Sequence, residues 1–365
     1  MGITVELVCL DPPDAPWLVD FPIKVYPLGP SYSSYGYCPR LAPWLKAHCR
    51  DYAFIIINGI WQYHSFSTWR AVRRAGVPYF VFTHGMLDPW FKRHYPLKHL
   101  KKWLYWPWAE YRVLRDADKV LFTCQEEQIQ ARRSFWLYRC NEAVVSYGTA
   151  GWSGDAGHQK KLFFEQFPDL NGKRIILFLG RVHEKKGCDL MINAFHRLLE
   201  EKSDPSLHLV IAGPDESAYA LWLKKLVHSY GLESRVTWTG MIGGDLKWGA
   251  FQSAEVFILS SHQENFGISV AESLSASLPV LITNKVNIWR EIEKDDAGLV
   301  ENDDSEGAYA LLNRWMSLNP SGKEAMRCNA RRCFVENFEI QKAAQSLLGV
   351  YDGALYAKTG GHLEY

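Results

Sequence analysis

Nine short apolar runs, each followed by a stretch of mixed apolar and charged residues, constrain this chain more than any other feature. In the first part they are "TVELVCLD" (4–11), "FIIING" (54–59), "YFVFTHG" (79–85) and "KVLFTC" (119–124). After about residue 150 the pattern restarts with "RIILFLG" (174–180), "LHLVIAG" (207–213), "VTWTG" (236–240), "VFILSS" (256–261) and "VLITN" (280–284). Runs this short and this continuously apolar are predicted as strands buried on both faces, and the helical patterns between them as the layers that bury them. The expectation is an α/β protein of two doubly wound, Rossmann-like domains with parallel sheets. At 365 residues the chain exceeds one ordinary core. The domains are placed at 1–150 and 151–340, with the boundary near "SYGTAGWSG" (146–154), rich in Gly and Ser. The pattern "QKAAQSLLGVYDGAL" (341–355) predicts a last helix crossing back to the first domain, before a tail to residue 365.

Composition narrows the function classes. Lys+Arg 41 against Asp+Glu 40 leaves a net charge of +1, which argues against a global attraction to nucleic acid. Cys9, Cys38, Cys49, Cys124, Cys140, Cys188, Cys328 and Cys333 are scattered, with no CxxC pair and no His cluster to complete a zinc pattern. They are predicted as reduced thiols of a cytoplasmic protein, and no metal site is expected. No signal peptide is expected, and the sequence holds no apolar run long enough to span a bilayer. The 15 tryptophans are a high count for this length; many are expected in the core and some on sugar rings or at a membrane interface.

Ligands of doubly wound sheets bind at the carboxyl ends of strands. Gly85, Gly180, Gly213 and Gly240 all fall there, although Gly213 is open to the plainer reading of a helix-entry turn. In "LGRVHEKKGCDLMINAF" (179–195), Arg181 lies just past a strand and Lys186-Gly187 opens the next helix. Two cations at a helix entrance suit a diphosphate, whose charge grows as a nucleotide leaves. Lys185 and Lys247 are taken as solvated surface charge. In "ENFGISVAE" (264–272) two glutamates flank a turn whose amides open a helix. Either one caps that helix, or the pair holds a ligand bearing both hydroxyls and phosphates.

Gly-Arg-x4-Lys-Gly followed by Glu-x7-Glu resembles the retaining GT-B glycosyltransferases, the large family that includes sucrose and mannosyl-phosphoinositide synthases. "FTHGMLDPWF" (82–91) is similar to its polysaccharide-assembly branch, in which the cyanobacterial envelope-polysaccharide transferases are the relatives it resembles. The resemblance runs from about residue 4 to 340. It implies two Rossmann-like domains facing a cleft and a retaining hexosyltransferase, with UDP-glucose the expected donor and a saccharide or lipid-linked acceptor. It further implies that Glu264 holds donor-sugar hydroxyls and Glu272 the ribose hydroxyls, and that Asn265, Phe266, Gly267 and Ile268 meet sugar and phosphate. Arg181 and Lys186 would clamp the diphosphate, the backbone near Met241 and Ile242 in "GMIGGDLK" would recognise the base, and His84 would stand beside the transferring sugar.

Two departures accompany the resemblance. The usual first strand and Gly-rich loop are not seen ahead of "TVELVCLD", which puts the acceptor pocket in question, and "VSYGTA" stands where relatives often have Pro-Asn-Gly. "DAD" (116–118) is taken as a structural turn, with Arg and Lys replacing a divalent metal electrostatically. The stretch "FKRHYPLKHLKKWLYWPWAEYRVLR" (91–115) suits either an anionic membrane surface or a domain helix with a solvated basic face and a buried aromatic one; the second is preferred. Two other functions share the architecture: a nucleotide-sugar epimerase, and a catalytically weak nucleotide-sugar-binding protein.

Overall fold

The computed structural model describes residues 3–90, 92, 96–202 and 204–359, with side chains described as far as Gly353. Phe91, Arg93, His94 and Tyr95 of the aromatic-basic stretch, and the tail from 360, lie outside the described residues. The chain divides into two units, Met1–Val145 with Val350–Tyr365, and Ser146–Gly349.

The second unit holds a parallel six-stranded sheet, β7 (Arg174–Leu179), β8 (Leu207–Ala212), β9 (Val236–Gly240), β10 (Ala254–Leu259), β11 (Val280–Thr283) and β12 (Gly298–Glu301), in the order β12-β11-β10-β7-β8-β9. The chain starts in the middle at β7, builds outward through β8 and β9, then returns to β10 on the other side. That reversal is the doubly wound arrangement, and it opens a crevice beyond the carboxyl ends of β7 and β10. All six residues of β8 are buried, as a central strand covered on both faces requires. The Cys188–Glu201 helix turns Cys188, Met191, Ile192, Phe195 and Leu198 onto the sheet, the i, i+3, i+4, i+7 stripe of a surface helix.

The first unit carries a parallel sheet of four strands in sequence order, β3 (Ile55–Asn58), β4 (Tyr79–Phe82), β5 (Lys119–Phe122) and β6 (Glu142–Val144). Its core gathers Trp69, Val81, Trp106, Val113 and Phe122. The run at 4–11 does not join this sheet. Its strand β1 (Leu7–Cys9) pairs in parallel with β2 (Val25–Pro27), a separate two-stranded ladder. Strands β2, β6 and β12, each three or four residues long, were not among the runs read from the sequence.

The Gly/Ser-rich boundary is closely packed. Thr149 N–H donates to Phe338 O at 3.0 Å and Trp152 N–H to Ser275 Oγ at 2.7 Å. A Cβ on Gly148 would lie 2.7 Å from Phe338 O, and one on Gly151, at φ +75°, 2.5 Å from the Phe334 ring. Those glycines serve close approach. The last helix, Ile340–Thr359, holds Ser346 against Ser146 in the second unit, while the Tyr351 ring packs tilted on Phe54, centroids 4.1 Å apart, within the first.

Candidate functional site

The residues singled out after β7 and β10 meet at the crevice. Beyond β7 the chain makes a single 3₁₀ turn, Glu184–Lys186, and enters the Cys188–Glu201 helix through Gly187 at φ +60°. A Cβ at Gly187 would stand 2.0 Å from Ser260 O, and Ser260 Oγ donates to Gly187 O at 2.6 Å. His262 N–H donates to Lys185 O at 2.9 Å. The 260–262 segment after β10 thus braces the 184–187 turn, and glycine is needed at 187 both for its left-handed backbone and for this approach.

That bracing delivers Lys186 to Glu264. The two form an ion pair, each side chain only 18% exposed. Burial, with Lys185 and Arg181 close by, pushes the Lys186 ammonium down to about 8. The touching Glu264 carboxylate pulls the other way, because an opposite charge favours the ammonium, and it keeps the pair ionic near neutrality. Arg181 is exposed just past the end of β7.

Neither glutamate caps a helix, which removes the plain alternative. Glu264 lies in a bridge to 285–287, its N–H donating to Lys285 O and its carbonyl accepting from Asn287 N–H, both at 2.9 Å. The Ile268–Ser275 helix begins at Gly267, φ +76°, with no side-chain cap. Gly267 thus supplies no side chain to the helix's first amides, while Val270 N–H turns back to Gly267 O at 2.8 Å. Glu272 lies inside that helix and accepts from Lys247 Nζ at 2.7 Å. Lys247, with only 22% of its side chain exposed and its ammonium 4.6 Å over the Trp248 ring, is not solvated surface charge as its place in the sequence suggested. Two acid–lysine pairs thus flank one uncapped helix start.

The remaining residues sort by exposure. Met241 is 82% exposed, Ile268 is exposed and Ile242 half-buried, while Phe266 is buried edge-on against Tyr147 and Phe338. The Phe266 ring therefore packs behind the turn and holds it from that side. Asn265 Oδ1 accepts from Asn287 Nδ2 at 3.5 Å. Gly240 has φ +66° with open space around it. Gly213 is not a helix entry: a Cβ there would sit 1.9 Å from Gly180 O, so glycine keeps adjacent strand ends together.

His84 belongs to the first unit, at the carboxyl end of β4. Its φ is +48°, uncommon for a residue with a Cβ. Its ring stacks on Phe82 and its Nε2 lies 3.2 Å from Asn58 Oδ1. The turn is held by a residue the sequence reading missed. Buried Glu127 accepts from Thr83 Oγ1 at 2.7 Å and Gly85 N–H at 2.6 Å, and its other oxygen from Thr123 N–H and Oγ1, both at 2.7 Å. Burial lowers the His84 pKa and the Glu127 charge opposes it, leaving the imidazole neutral at pH 7. In "CQEEQIQA" Glu127 looks like helix surface; its one sequence sign is position, three residues past a cysteine that caps the helix.

The triplet at 116–118 is structural. Asp116 accepts from Trp69 Nε1 at 3.0 Å and pairs with Arg115, and Asp118 accepts from Tyr79 N–H at 2.9 Å. All eight cysteines are free thiols, and among the described residues no helix is long and apolar enough to cross a membrane.

Two family descriptions match: "Glycosyl transferases group 1" over residues 159–332 and "Glycosyl transferase 4-like domain" over 1–148. The chain belongs to the group 1 glycosyltransferases. Mannosylfructose-phosphate synthase from Agrobacterium fabrum is 32% identical over 123 residues, 33% of this chain and 27% of the relative. D-inositol 3-phosphate glycosyltransferase from Streptomyces avermitilis is 26% identical over 259 residues, 68% of this chain and 54% of the relative. The chain thus spans about half or less of these relatives' lengths. Among solved structures, sucrose-phosphate synthase from Thermosynechococcus elongatus superposes with a TM-score of 0.74 at 19% identity, covering 98% of this chain and 90% of that one. Anabaena HepE in complex with UDP-glucose gives 0.71 at 16% identity, covering 91% and 86%. These likenesses establish the GT-B fold, two Rossmann-like domains of parallel sheet.

Proposed function

We propose that the protein transfers a hexose, glucose from UDP-glucose, with retention of configuration, to a saccharide or lipid-linked acceptor in envelope polysaccharide synthesis. The observation that carries this reading is the pair of acid–lysine contacts, Lys186–Glu264 and Lys247–Glu272, on either side of the uncapped Gly267 turn. Before a donor enters, each buried charge is satisfied by its partner. A nucleotide sugar offers each group something better matched: the diphosphate takes Lys186, Arg181 and the amides at Gly267 and Ile268, the hexose hydroxyls take Glu264, and the ribose hydroxyls take Glu272. A helix start with free amides suits phosphate oxygens, and the base lies along the backbone near Met241 and Ile242.

In the transfer the bond from the anomeric carbon to the diphosphate breaks while the acceptor oxygen bonds the same face. The acceptor proton passes to the departing phosphate. The protein's share is to stabilise the charge on that phosphate and to orient the sugar, with Lys186 and Arg181 doing the work of a divalent metal. His84, neutral and held by Asn58, is assigned to the transferring sugar. An epimerase or a binding protein is not favoured by the family matches.

Thermal stability measured in EDTA across UDP-, GDP- and ADP-sugars tests the donor. UDP-glucose at a hundred times its Kd is expected to stabilise by about 2.7 kcal/mol, and a preference for GDP-mannose would overturn the base assignment. Loss of the effect with EDTA would overturn the metal-free reading, and an inverted anomer by NMR the retaining one.

A further inference from the structure

The Pro96–Tyr105 helix is built inside out. On a helical wheel Leu97, Leu100, Trp103 and Leu104 share one face, and Lys98, Lys102 and Tyr105 lie opposite. In a soluble protein the leucine face goes inward. Here Leu97 is 79% exposed, Leu100 55% and Leu104 60%, with Trp103 at 44%. The other face is the one that packs. Lys102 is half-buried with its ammonium 4.6 Å over the Trp61 ring, His99 stacks on Phe135, and the Tyr105 hydroxyl lies 2.7 Å from that of Tyr35. Just beyond the helix, Trp106 is fully buried against Phe135. Four aromatic or cationic anchors thus hold the helix with its apolar stripe outward. The preferred sequence reading holds in part: Trp106 is buried, Tyr105 packs inward and Lys98 and Lys101 are solvated, but Lys102 is half-buried and Trp103, Trp108 and the leucines are turned outward.

The stripe does not stand alone. Trp103 lies 6.3 Å from Trp136, itself 66% exposed, and Trp108 is 69% exposed. The charge nearby is of one sign: the sequence has no carboxylate between Asp88 and Glu110, Lys101 is exposed at the edge of the stripe, and Lys92 and Lys98 are exposed on the same segment. Leucines for the acyl region, tryptophans for the headgroup level and lysines for lipid phosphate are the composition of an interfacial helix.

We propose that this outward face docks the first unit on an anionic lipid bilayer, the helix lying in the plane of the interface. A second copy of the chain is the competing occupant, but self-docking would bring the basic flanks of two copies together. The proposal stands independently of the sugar chemistry.

Co-sedimentation of the full chain with vesicles of phosphatidylcholine alone, and of phosphatidylcholine mixed with phosphatidylglycerol, tests it. The protein is expected on the mixed vesicles, less at high salt, and the variant L100E/L104E is expected to lower its partition coefficient by about tenfold or more. Both positions are exposed, so its thermal midpoint should match the wild type. The variant K98E/K101E keeps the apolar stripe, tests the same surface should the first fold poorly, and is expected to lose the preference for anionic lipid. The proposal fails if the wild type stays in the supernatant at low salt, or if both variants bind like it. It also fails if, without lipid, the chain forms a dimer that L100E/L104E dissolves and vesicles do not displace.

Discussion

The turn at Gly267 in the second unit and the turn at His84 in the first sit at the same place in their sheets, past the carboxyl end of a parallel strand, and are held by opposite means. At Gly267 the helix start has no side-chain cap, and the neighbouring charges neutralise one another in pairs. At His84 the backbone is bound to a buried carboxylate, Glu127, whose oxygens are saturated by Thr83, Gly85 and Thr123. One turn is flanked by ion pairs, the other is bound to a saturated carboxylate with an imidazole ring presented from it. Charge that is paired but exchangeable suits recognition of a charged ligand. A saturated buried carboxylate is a scaffold, because any rearrangement would strand a desolvated charge.

The contrast breaks most visibly at Lys186. Lys186→Ala and Arg181→Ala are each expected to cut turnover by orders of magnitude, about 3 kcal/mol by comparison with a lost oxyanion donor, while leaving the fold intact; near-normal rates would place the diphosphate elsewhere. Glu127→Gln should act on stability instead. An amide cannot accept from Thr83, Gly85 and Thr123 together, since its NH₂ would face donors. A loss of about 1–3 kcal/mol in denaturant titration is expected, and an unchanged midpoint would show that the turn does not depend on that carboxylate.

Smaller effects separate the two acids of the second unit. Glu272→Gln should weaken UDP by about 1–3 kcal/mol, as loss of a charge-assisted hydrogen bond does. Glu264→Gln should bind UDP at least as well as wild type, because Lys186 is released from its partner, and yet lose transfer. Equal losses of UDP affinity by calorimetry would break the division between sugar and ribose. The smallest effect is a protonation. Lys186 is held near 8, below its ordinary 10.5, and a bound diphosphate favours the ammonium. UDP affinity should therefore be full below pH 8 and fall above it, with proton uptake on binding in that range and none at pH 6.5. The same enthalpy in buffers of different ionisation heat at pH 9 would exclude Lys186 from the phosphates.

Much of this site was legible along the chain because its geometry is local. Gly187 and Gly267 each mark a left-handed residue at a helix start, and Arg181 and Lys186 are placed by strand β7 ending where it does. The pairing was not legible. Lys186 meets Glu264 across 78 positions, and Lys247 meets Glu272 across 25, because the strand order reverses at β7 and β10. Glu127 was hidden for a related reason. A glutamate in a helix's first turn looks like favourable charge at a dipole, and nothing nearby in sequence shows that Thr83 and Gly85 will close over it.

The sequence by itself determined the α/β class, the restart near residue 150, and which strand ends turn on positive-φ glycines, since burial on two faces and such glycines leave marks within a few residues. Only the tertiary structure decided which charges neutralise which, that the run at 4–11 pairs outside the main sheet, and that the Pro96–Tyr105 helix turns its leucines to the outside. An amphipathic pattern has two faces of equal periodicity, and what chooses between them is the surface it meets. Here that surface offers Trp61, Phe135 and Tyr35, which hold a lysine, a histidine and a tyrosine more specifically than they would hold leucine.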